Sequence, residues 1–290
     1  MNALGLNPGV VGIMWKREML RYGRDRSQIF GAISRTILWL VILGFGLGAA
    51  LREIEGYSYA QYILPGVITL NVLFSSLQCA ISLVWDREVG LLRSVIVSPA
   101  PMLSVTLGKL FGGATIATIQ GAIPLLFIPV LGVRVSPQAI VGALAIMFVM
   151  GVAITAFGII VASRLKTFEG FGAISNGIIQ PLYFLSGSIF PLRGVIGGVG
   201  FLDIPAHLRD ELRQLGIFTI GGGWVVQLPV FIQVLVYMNP VSYQLDLLRY
   251  VLLDFQQLPL WADFAVTFGL APVLAVGAAA SVKNMLDKRR

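Results

Sequence analysis

Long runs of apolar residues, broken by short charged segments, dominate the sequence. Each run holds about 20 residues or more, the length that an α-helix needs to cross the ~30 Å hydrocarbon core of a bilayer. This pattern predicts an all-α integral membrane protein with six transmembrane helices in a single domain, residues 1–290. The six predicted spans cover residues 29–51, 59–84, 102–131, 138–162, 171–190 and 261–282.

The third run is longer than a straight crossing needs. Pro124 and Pro129 lie in its second half, and proline removes a backbone donor from a helix. We expect these two prolines to kink or end the helix, with neighbouring helices satisfying the freed carbonyl groups.

The composition agrees with a membrane protein and argues against a soluble domain, a disulfide-rich protein and a metal site built on cysteine or histidine. Hydrophobic residues make up 57% of the chain and charged residues only 12%, about half the charged share of a soluble domain. The single cysteine, Cys79, lies in an apolar run, and the single histidine, His207, lies in a polar connection. The sequence therefore offers no disulfide framework and no metal site built on cysteine or histidine.

The distribution of basic residues predicts the orientation. The connections between the six predicted spans alternate between the two sides of the membrane. On this assignment, 15 of the 21 Lys and Arg residues lie on the same side as the N-terminus and six lie on the other side. Cytoplasmic loops carry such an excess, so both termini are predicted in the cytoplasm. Because the basic residues flank spans, the net charge of +7 is not interpreted as nucleic-acid binding.

An amphipathic helix is predicted over residues 8–27. Its apolar residues recur at helical spacing between Lys16, Arg17, Arg21 and Arg24, a pattern typical of a helix lying in the headgroup layer. A basic leader that merely sets the topology is the alternative, and the two are compatible. The apolar stripe comprises Val11, Met14, Trp15, Met19 and Tyr22.

A second amphipathic segment, residues 85–99, separates two long apolar runs and is predicted to face the cytoplasm. Its apolar residues Val89, Leu92, Val95 and Ile96 fall on one helical face. We interpret the segment as a short helix that docks into a groove on a soluble partner; an ordinary solvated loop is the alternative. Its charged residues are Asp86, Arg87, Glu88 and Arg93, and Gly90 allows close approach.

Uncharged polar residues form a stripe on each of two predicted spans. The second span carries Asn71, Ser75, Gln78 and Ser82, and the fifth carries Asn176, Gln180 and Tyr183, each set on one helical face. Such faces are expected to meet other helices or a cavity. We therefore keep two interpretations: hydrogen bonds between helices, or a translocation path between two copies. Aromatic surface would come from Phe74, Tyr183 and Phe184, and neither stripe contains a charge, which favours lipid-like or apolar cargo over compact ions.

Catalytic chemistry is missing from the sequence. Gly108–Lys109 lacks the earlier glycine and the following Ser or Thr of a phosphate-binding loop. No acidic residue falls deep inside a predicted span, where a proton-coupled carrier normally needs one, and no nucleophile–base set is apparent. We expect no enzymatic activity and no cofactor in this chain alone.

Three ordered motifs resemble one family. DREVGLLRSVIVSP followed by LGKLFGGATIATIQGAI, then FLSGSIFPL, then NPVSYQLDLLRY together extend over roughly residues 59–255. They are similar to the ABC-2 type exporter permeases, most closely to those resembling the daunorubicin resistance permease. The resemblance implies a plasma (inner) membrane protein with two membrane chains, alike or paired with a similar one. Two ATP-binding subunits would hold the ATP and Mg²⁺.

The resemblance also implies roles for individual residues. In this family the segment after the second span is a coupling helix that contacts the ATP-binding subunit, here Asp86, Arg87, Glu88, Gly90, Leu92 and Arg93. The outer end of the fifth span would form a gate from Pro181, Ser186, Gly187 and Pro191.

One departure from the family is a long connection before the last span. Residues 192–260 are predicted to form an extracytoplasmic insertion, whose apolar stretch 224–237 is too short for a comfortable crossing. We interpret that stretch as a re-entrant or interfacial element on the outer side; an extra pair of crossings is the competing interpretation.

The expected function is the permease subunit of an ATP-driven exporter, moving an amphipathic, lipid-like, drug-like or glycan substrate out of the cytoplasm. A membrane scaffold or assembly factor, docking a non-ATPase partner through residues 85–99, is the alternative. A secondary carrier is disfavoured because no acidic residue falls deep inside a predicted span.

Overall fold

The computed structural model describes residues 6–48, 54, 56–88, 101–165, 167–189 and 230–287. Within these ranges the chain is helical, and the β-type pairing is limited to one bridge between Ile54 and Tyr57. The helices, numbered in chain order, are α1 (Pro8–Arg24), α2 (Arg26–Ile37), α3 (Tyr59–Glu88), α4 (Met102–Ala122), α5 (Ile128–Leu131), α6 (Pro137–Arg164), α7 (Phe168–Leu185), α8 (Val230–Met238), α9 (Pro240–Leu253) and α10 (Leu260–Asp287).

Five helical stretches are long and apolar enough to cross a membrane. Four correspond to the first four predicted spans and one to the last, and they bear out the all-α membrane class. The fifth predicted span falls on α7, which has 18 residues and is not one of these five stretches. The count of six transmembrane helices therefore stays a prediction. The five stretches are Arg26–Gly46, Tyr59–Glu88, Met102–Leu131, Pro137–Arg164 and Leu260–Met285.

The first span changes its helical form part of the way along. Asp25 begins α2 by accepting a hydrogen bond from the backbone N–H of Ser27, and the Ser27 side chain also donates to it, which holds the pKa of Asp25 below its ordinary value. After Ile37 the helix continues as a π-helical stretch, Leu38–Leu47. π-helical turns are rare in proteins, and those that do occur are often found at functional sites.

Prolines interrupt the third span, as predicted. The α-helix α4 ends at Ala122, a 3₁₀ turn Ile123–Phe127 containing Pro124 follows, and α5 begins next to Pro129. The missing N–H groups of the two prolines prevent a continuous α-helical ladder here.

Helix α3 forms the centre of the bundle, with α4, α6, α7, α9 and the π-helical stretch packed against it. Small residues allow the closest approaches: a Cβ on Gly151 of α6 would lie 2.9 Å from the Cα of Ala114 in α4. Close backbone contact of this kind supports helix association in a lipid environment, where burial of apolar area drives little.

Contacts at one end of the bundle bring together helices that are distant in sequence. Arg87, near the end of α3, donates to the carbonyl of Leu165 after α6 and contacts the sulfur of Met285 in α10. Asn7, before α1, donates its backbone N–H to Ser104 in the first turn of α4 at 2.8 Å. The two ends of the described chain therefore share this end, here called the charged end. Its cytoplasmic location stays a prediction.

The opposite end is fixed by side chains of α3 and the residues before it. Tyr57 donates to the carbonyl of Leu253, and Gln61 donates to that of Leu131 at 2.9 Å. Tyr62 donates to the carbonyl of Gly187 at 2.8 Å. These bonds connect α3 and the residues just before it to α5, to α9 and to the turn after α7.

Two helices precede the last span. Nine residues of α8 are described, directly after a stretch outside the described ranges, and α9 has 14 residues, fewer than the ~20 residues of a crossing. Asn239 separates them in an extended conformation and begins α9 by accepting from the N–H of Val241. The re-entrant interpretation of residues 224–237 stays a prediction, because residues 224–229 lie outside the described ranges.

Candidate functional site

A buried network of charged side chains lies at the charged end. The ammonium group of Lys109 is 2.7 Å from Asp86 Oδ2 and 3.3 Å from Glu18 Oε1, and it donates to the hydroxyl of Ser82 at 2.8 Å. Arg17 contacts the other oxygen of Asp86 at 2.5 Å. The network therefore connects α1, α3 and α4 through one central cation.

The charged side chains of this network depend on one another because they are buried. Glu18 is 1% exposed, Lys109 5% and Asp86 6%. Removing one partner from a buried ion pair leaves an uncompensated charge, which costs far more than the pair itself contributes. Each charge thus requires the others, and α1 is fixed to the spans at a defined position.

Helix α1 runs alongside α4 in the same direction. A Cβ on Gly108 would lie 2.4 Å from the Cβ of Met14, and one on Gly112 would lie 2.8 Å from the Cβ of Glu18. The absence of side chains at these two glycines is what allows the two helices to approach. Trp15 adds a hydrogen bond from its indole nitrogen to the hydroxyl of Thr115 at 3.1 Å.

This packing shows which face of the amphipathic helix lies against the bundle. The face that contains Met14, Trp15 and Tyr22 contacts α4 and its neighbours, and a location of the helix in the headgroup layer stays a prediction. Ile13 and Leu20 are exposed on another face of α1, and Leu6 is exposed just before the helix. These three apolar side chains are available for contact with lipid. Their seven-residue spacing was visible in the sequence, and the sequence interpretation missed it.

The residues predicted to couple to a partner separate into three groups. Asp86 points into the chain as part of the buried network, and half-buried Arg87 is bonded to the connection after α6. Glu88 is exposed at the last residue of α3. Gly90, Leu92 and Arg93 lie outside the described residues.

Two exposed aromatic residues accompany Glu88. Trp85 is 53% exposed and Phe168, the first residue of α7, is 40% exposed, and their ring centroids lie 6.0 Å apart. Exposed aromatic pairs of this kind are common at protein interfaces. Sequence reasoning missed the pair because the two residues lie far apart in the sequence, Trp85 near the end of α3 and Phe168 at the start of α7.

The polar stripe of the second span lies partly in the protein core. Asn71 is fully buried and donates to the hydroxyl of Thr36 at 2.8 Å. Ser75 is 1% exposed, whereas Gln78 is exposed. Interhelical hydrogen bonding, one of the two interpretations left open by the sequence, therefore describes Asn71.

A charge lies beside this stripe. The Nε of Arg35 on α2 donates to Asn71 Oδ1 at 2.8 Å, and its guanidinium carbon lies 4.4 Å from the centre of the Phe74 ring. The stripes themselves hold no charge, but the fold supplies one from another helix. The uncharged stripes therefore do not argue against a charged cargo, and the nature of the cargo stays a prediction.

The stripe on α7 divides in the same way. Asn176, Gln180 and Phe184 are exposed, but Tyr183 is fully buried and packs edge-on against Trp39 at 5.4 Å between ring centroids. Tyr183 is therefore a core residue, whereas the two amide side chains of the stripe, Asn176 and Gln180, face outward from this chain.

The predicted outer gate forms a turn after α7. Gly187 has φ +74°, a left-handed conformation that disfavours residues with a Cβ, and its carbonyl accepts from Tyr62 and from Arg249 at 2.5 Å. Ser186 is buried and donates to the Tyr183 carbonyl at 2.7 Å. Pro181 is exposed inside α7, and Pro191 lies outside the described residues.

A buried polar cluster supports this turn, and sequence reasoning missed it. Arg249 of α9 is fully buried, contacts the Tyr62 ring at 4.3 Å and donates to Gln257 Oε1 at 3.1 Å. Asp246, also on α9, accepts the backbone N–H groups of Gln257 and Leu258. The cluster positions the turn before α10 against α7, and it belongs to the protein interior rather than to an open path.

Comparison of the sequence with known proteins relates this chain to a family of transporters. Residues 10–201 match the ABC-2 type transporter family. The chain is 26% identical to the putative transport permease ycf38 of Cyanophora paradoxa over 62% of this chain and 63% of that protein. It is 24% identical to nodulation protein J of Sinorhizobium fredii over 76% and 86%. It is also 23% identical to the inner membrane transport permease YadH of Escherichia coli K12 over 87% and 86%.

Proposed function

Because this chain belongs to the ABC-2 type transporter family and is thereby a membrane permease subunit of an ABC transporter, we propose that it works as an exporter. It moves an amphipathic substrate of lipid-like, drug-like or glycan character out of the cytoplasm. The energy comes from ATP, which a separate ATP-binding subunit, present in two copies, binds together with Mg²⁺. Similarity to the daunorubicin resistance permease group stays a prediction.

The observation that carries this proposal is the buried network below the connection between α3 and α4. Asp86 and Lys109 lie on the two helices that flank residues 89–101, and their 2.7 Å ion pair holds those helices together. Arg17 and Glu18 extend the connection to α1. A force applied to the connection would therefore move three helices as a unit.

The contact surface for the ATP-binding subunit begins at Glu88. This residue is exposed immediately beyond the buried Asp86, and the Trp85–Phe168 pair offers apolar surface beside it. We leave Asp86 out of the contact surface and give it the role of an internal anchor. Gly90, Leu92 and Arg93 complete the proposed coupling surface, as the family resemblance implies.

A second permease chain completes the proposed path. Exposed Asn176 and Gln180 on α7 would be unfavourable against lipid, because amides require hydrogen-bond partners there. A homodimer in which these faces line a path between two copies satisfies that requirement. Closure of the ATP-binding subunits would then tilt the helices around this path.

The test is to solubilise the chain gently from its native membrane and to identify the proteins that co-purify. We expect a stoichiometric ABC ATP-binding subunit with the wild-type chain and its loss with Glu88→Arg. Arg134→Glu is the matched control, because Arg134 is an exposed charge in the connection before α6 and its reversal should retain the subunit.

Other results would contradict the proposal. A folded wild-type preparation without an ATP-binding subunit, but with another protein bound in a Glu88-dependent manner, would support the scaffold alternative. Equal retention by Glu88→Arg and the wild type would remove Glu88 from the contact surface.

A further inference from the structure

Arg35 lies well inside the membrane-spanning part of the bundle. Its partner Asn71 is about 16 Å from Ala60 and about 25 Å from Glu88 along α3, at 1.5 Å per residue. The candidate span containing Arg35, Arg26–Gly46, has the apolar run 29–33 before Arg35 and the apolar run 37–43 after it. A cation at this depth is costly and marks a functional site by default.

The contacts of Arg35 leave most of its donors available. Nε donates to Asn71 Oδ1, and one face of the guanidinium stacks on Phe74. Within the described residues, the ion pairs of the chain do not include Arg35. The planar fork formed by its two terminal nitrogens is thus held in place by Asn71 and Phe74 without a neutralising carboxylate from this part of the chain.

Exposed amides lie close to the depth of Arg35. Gln78 is four residues, about one turn, beyond Phe74 on the same helix. On α7, Gln180 precedes Tyr183 by three residues, and Arg35 precedes Trp39 by four. Because α2 and α7 both run from the charged end and the two aromatic rings touch, Gln180 and Arg35 lie at a similar depth.

The choice of arginine points to a particular ligand. A guanidinium presents parallel donors that match the oxygen atoms of phosphate or carboxylate in a bidentate manner. A partly desolvated guanidinium that stacks on an aromatic ring gains additional stabilisation. A guanidinium in this position is suited to bind an anionic group that enters the apolar interior of the membrane. An amphiphile with a phosphate head group combines such an anion with an apolar tail.

We propose that Arg35, held by Asn71 and Phe74, binds the phosphate or carboxylate group of an anionic amphiphile in the translocation path. Gln78 and Gln180 supply further hydrogen-bond donors beside it. The assignment deepens the proposed function and rests on it, since it narrows the amphipathic cargo to one with a negatively charged head.

The experiment compares two ligands that differ only in the phosphate: 1-oleoyl lysophosphatidic acid and monooleoylglycerol. Native mass spectrometry of the full-length chain in an uncharged detergent gives the dissociation constant for the first bound molecule of each. We expect the wild type to bind the phosphate ligand about tenfold more tightly, in keeping with a charge-assisted hydrogen bond of ~1.4 kcal/mol.

Variants separate Arg35 from other basic residues. Arg35→Gln should remove the preference for phosphate while leaving monooleoylglycerol binding unchanged, and Arg35→Lys should retain part of the preference. Arg164→Gln is the control, because Arg164 is an exposed basic residue at the charged end and should keep the full preference. Thermal unfolding of each variant verifies the fold.

Three results would overturn the proposal. Equal binding of the two ligands by the wild type would do so without any variant. A preference that survives in Arg35→Gln, or falls equally in Arg164→Gln, would assign the phosphate to surface basic residues. Displacement of the amphiphile by millimolar inorganic phosphate would assign the site to a free anion. The measurement needs neither ATP nor a partner, so its failure leaves the exporter proposal standing, and the failure of co-purification leaves this binding result valid.

Discussion

The ammonium nitrogen of Lys109 lies 2.7 Å from Oδ2 of Asp86, and both side chains are almost completely buried. The two residues lie on helices that flank the proposed coupling segment, so this ion pair closes the base of that segment. Glu18 of α1 contacts the same ammonium group at 3.3 Å. The first helix of the chain and the coupling segment therefore share one electrostatic anchor.

Neutralising Asp86 should destabilise the protein strongly. In Asp86→Asn, Lys109 and Arg17 lose their shared carboxylate, and an uncompensated buried charge costs about 3–5 kcal/mol. Thermal unfolding in detergent measures the effect. The control Glu88→Gln removes an exposed carboxylate and should change the unfolding midpoint little; equal effects of the two substitutions would contradict the buried network.

A second substitution should partly repair the first. In the double variant Asp86→Asn with Lys109→Met, the central cation is also absent, and replacing both members of a buried pair is far less costly than breaking it. We expect the double variant to unfold at a higher temperature than Asp86→Asn alone. An additive loss in the double variant would indicate that the two side chains act independently.

Much of this architecture was predictable from the sequence, because apolar runs and prolines act locally. The ends of α3 and α6 and the break near Pro124 follow from their own residues. The position of α1 does not, since its apolar stripe fits lipid and a glycine groove equally well. Gly108 and Gly112 supply that groove from a distant segment.

The candidate site was predictable only in part, for the same reason. An exposed Glu88 follows from its place at the end of a span. The burial of Asp86 depends on Arg17 and Lys109, which lie far from it in sequence. In the sequence, Arg35 is one of the 15 basic residues that predict the orientation, and its contact with Asn71 is visible only in three dimensions.

Displacing α1 should expose the single cysteine. Cys79 is 5% exposed, and its sulfur lies 4.0 Å from Glu18 Oε2. In Gly108→Val the added side chain would overlap Met14, because even a Cβ there lies 2.4 Å from the Met14 Cβ. We expect the rate at which a maleimide labels Cys79 to rise by about tenfold or more, in line with an opening cost lowered by ~1.4 kcal/mol.

The matched control for this substitution is Gly172→Ala on α7. A Cβ at Gly172 meets nothing within 4 Å, so labelling of Cys79 should stay slow. Slow labelling in Gly108→Val as well would show that α1 does not depend on the glycine groove.

The turn after α7 should resist substitution at Gly187. Its φ of +74° costs a residue with a Cβ about 1–2 kcal/mol, so Gly187→Ala should lower the free energy of unfolding by that amount. Gly177→Ala, in open space on α7, should be neutral or slightly stabilising because alanine favours helices. The reverse order of the two variants in chemical denaturation would exclude a left-handed turn at Gly187.

The central claim is that the surface beginning at Glu88 contacts an ATP-binding subunit, and site-specific photocrosslinking tests it most directly. Glu88→Cys, in a Cys79→Ala background and labelled with a photoactivatable maleimide, is irradiated in native membranes. The account predicts a crosslink to a protein that carries an ATP-binding phosphate loop, and none when the label is at Arg134→Cys. A crosslink of equal strength from both positions, or none from position 88, would contradict it.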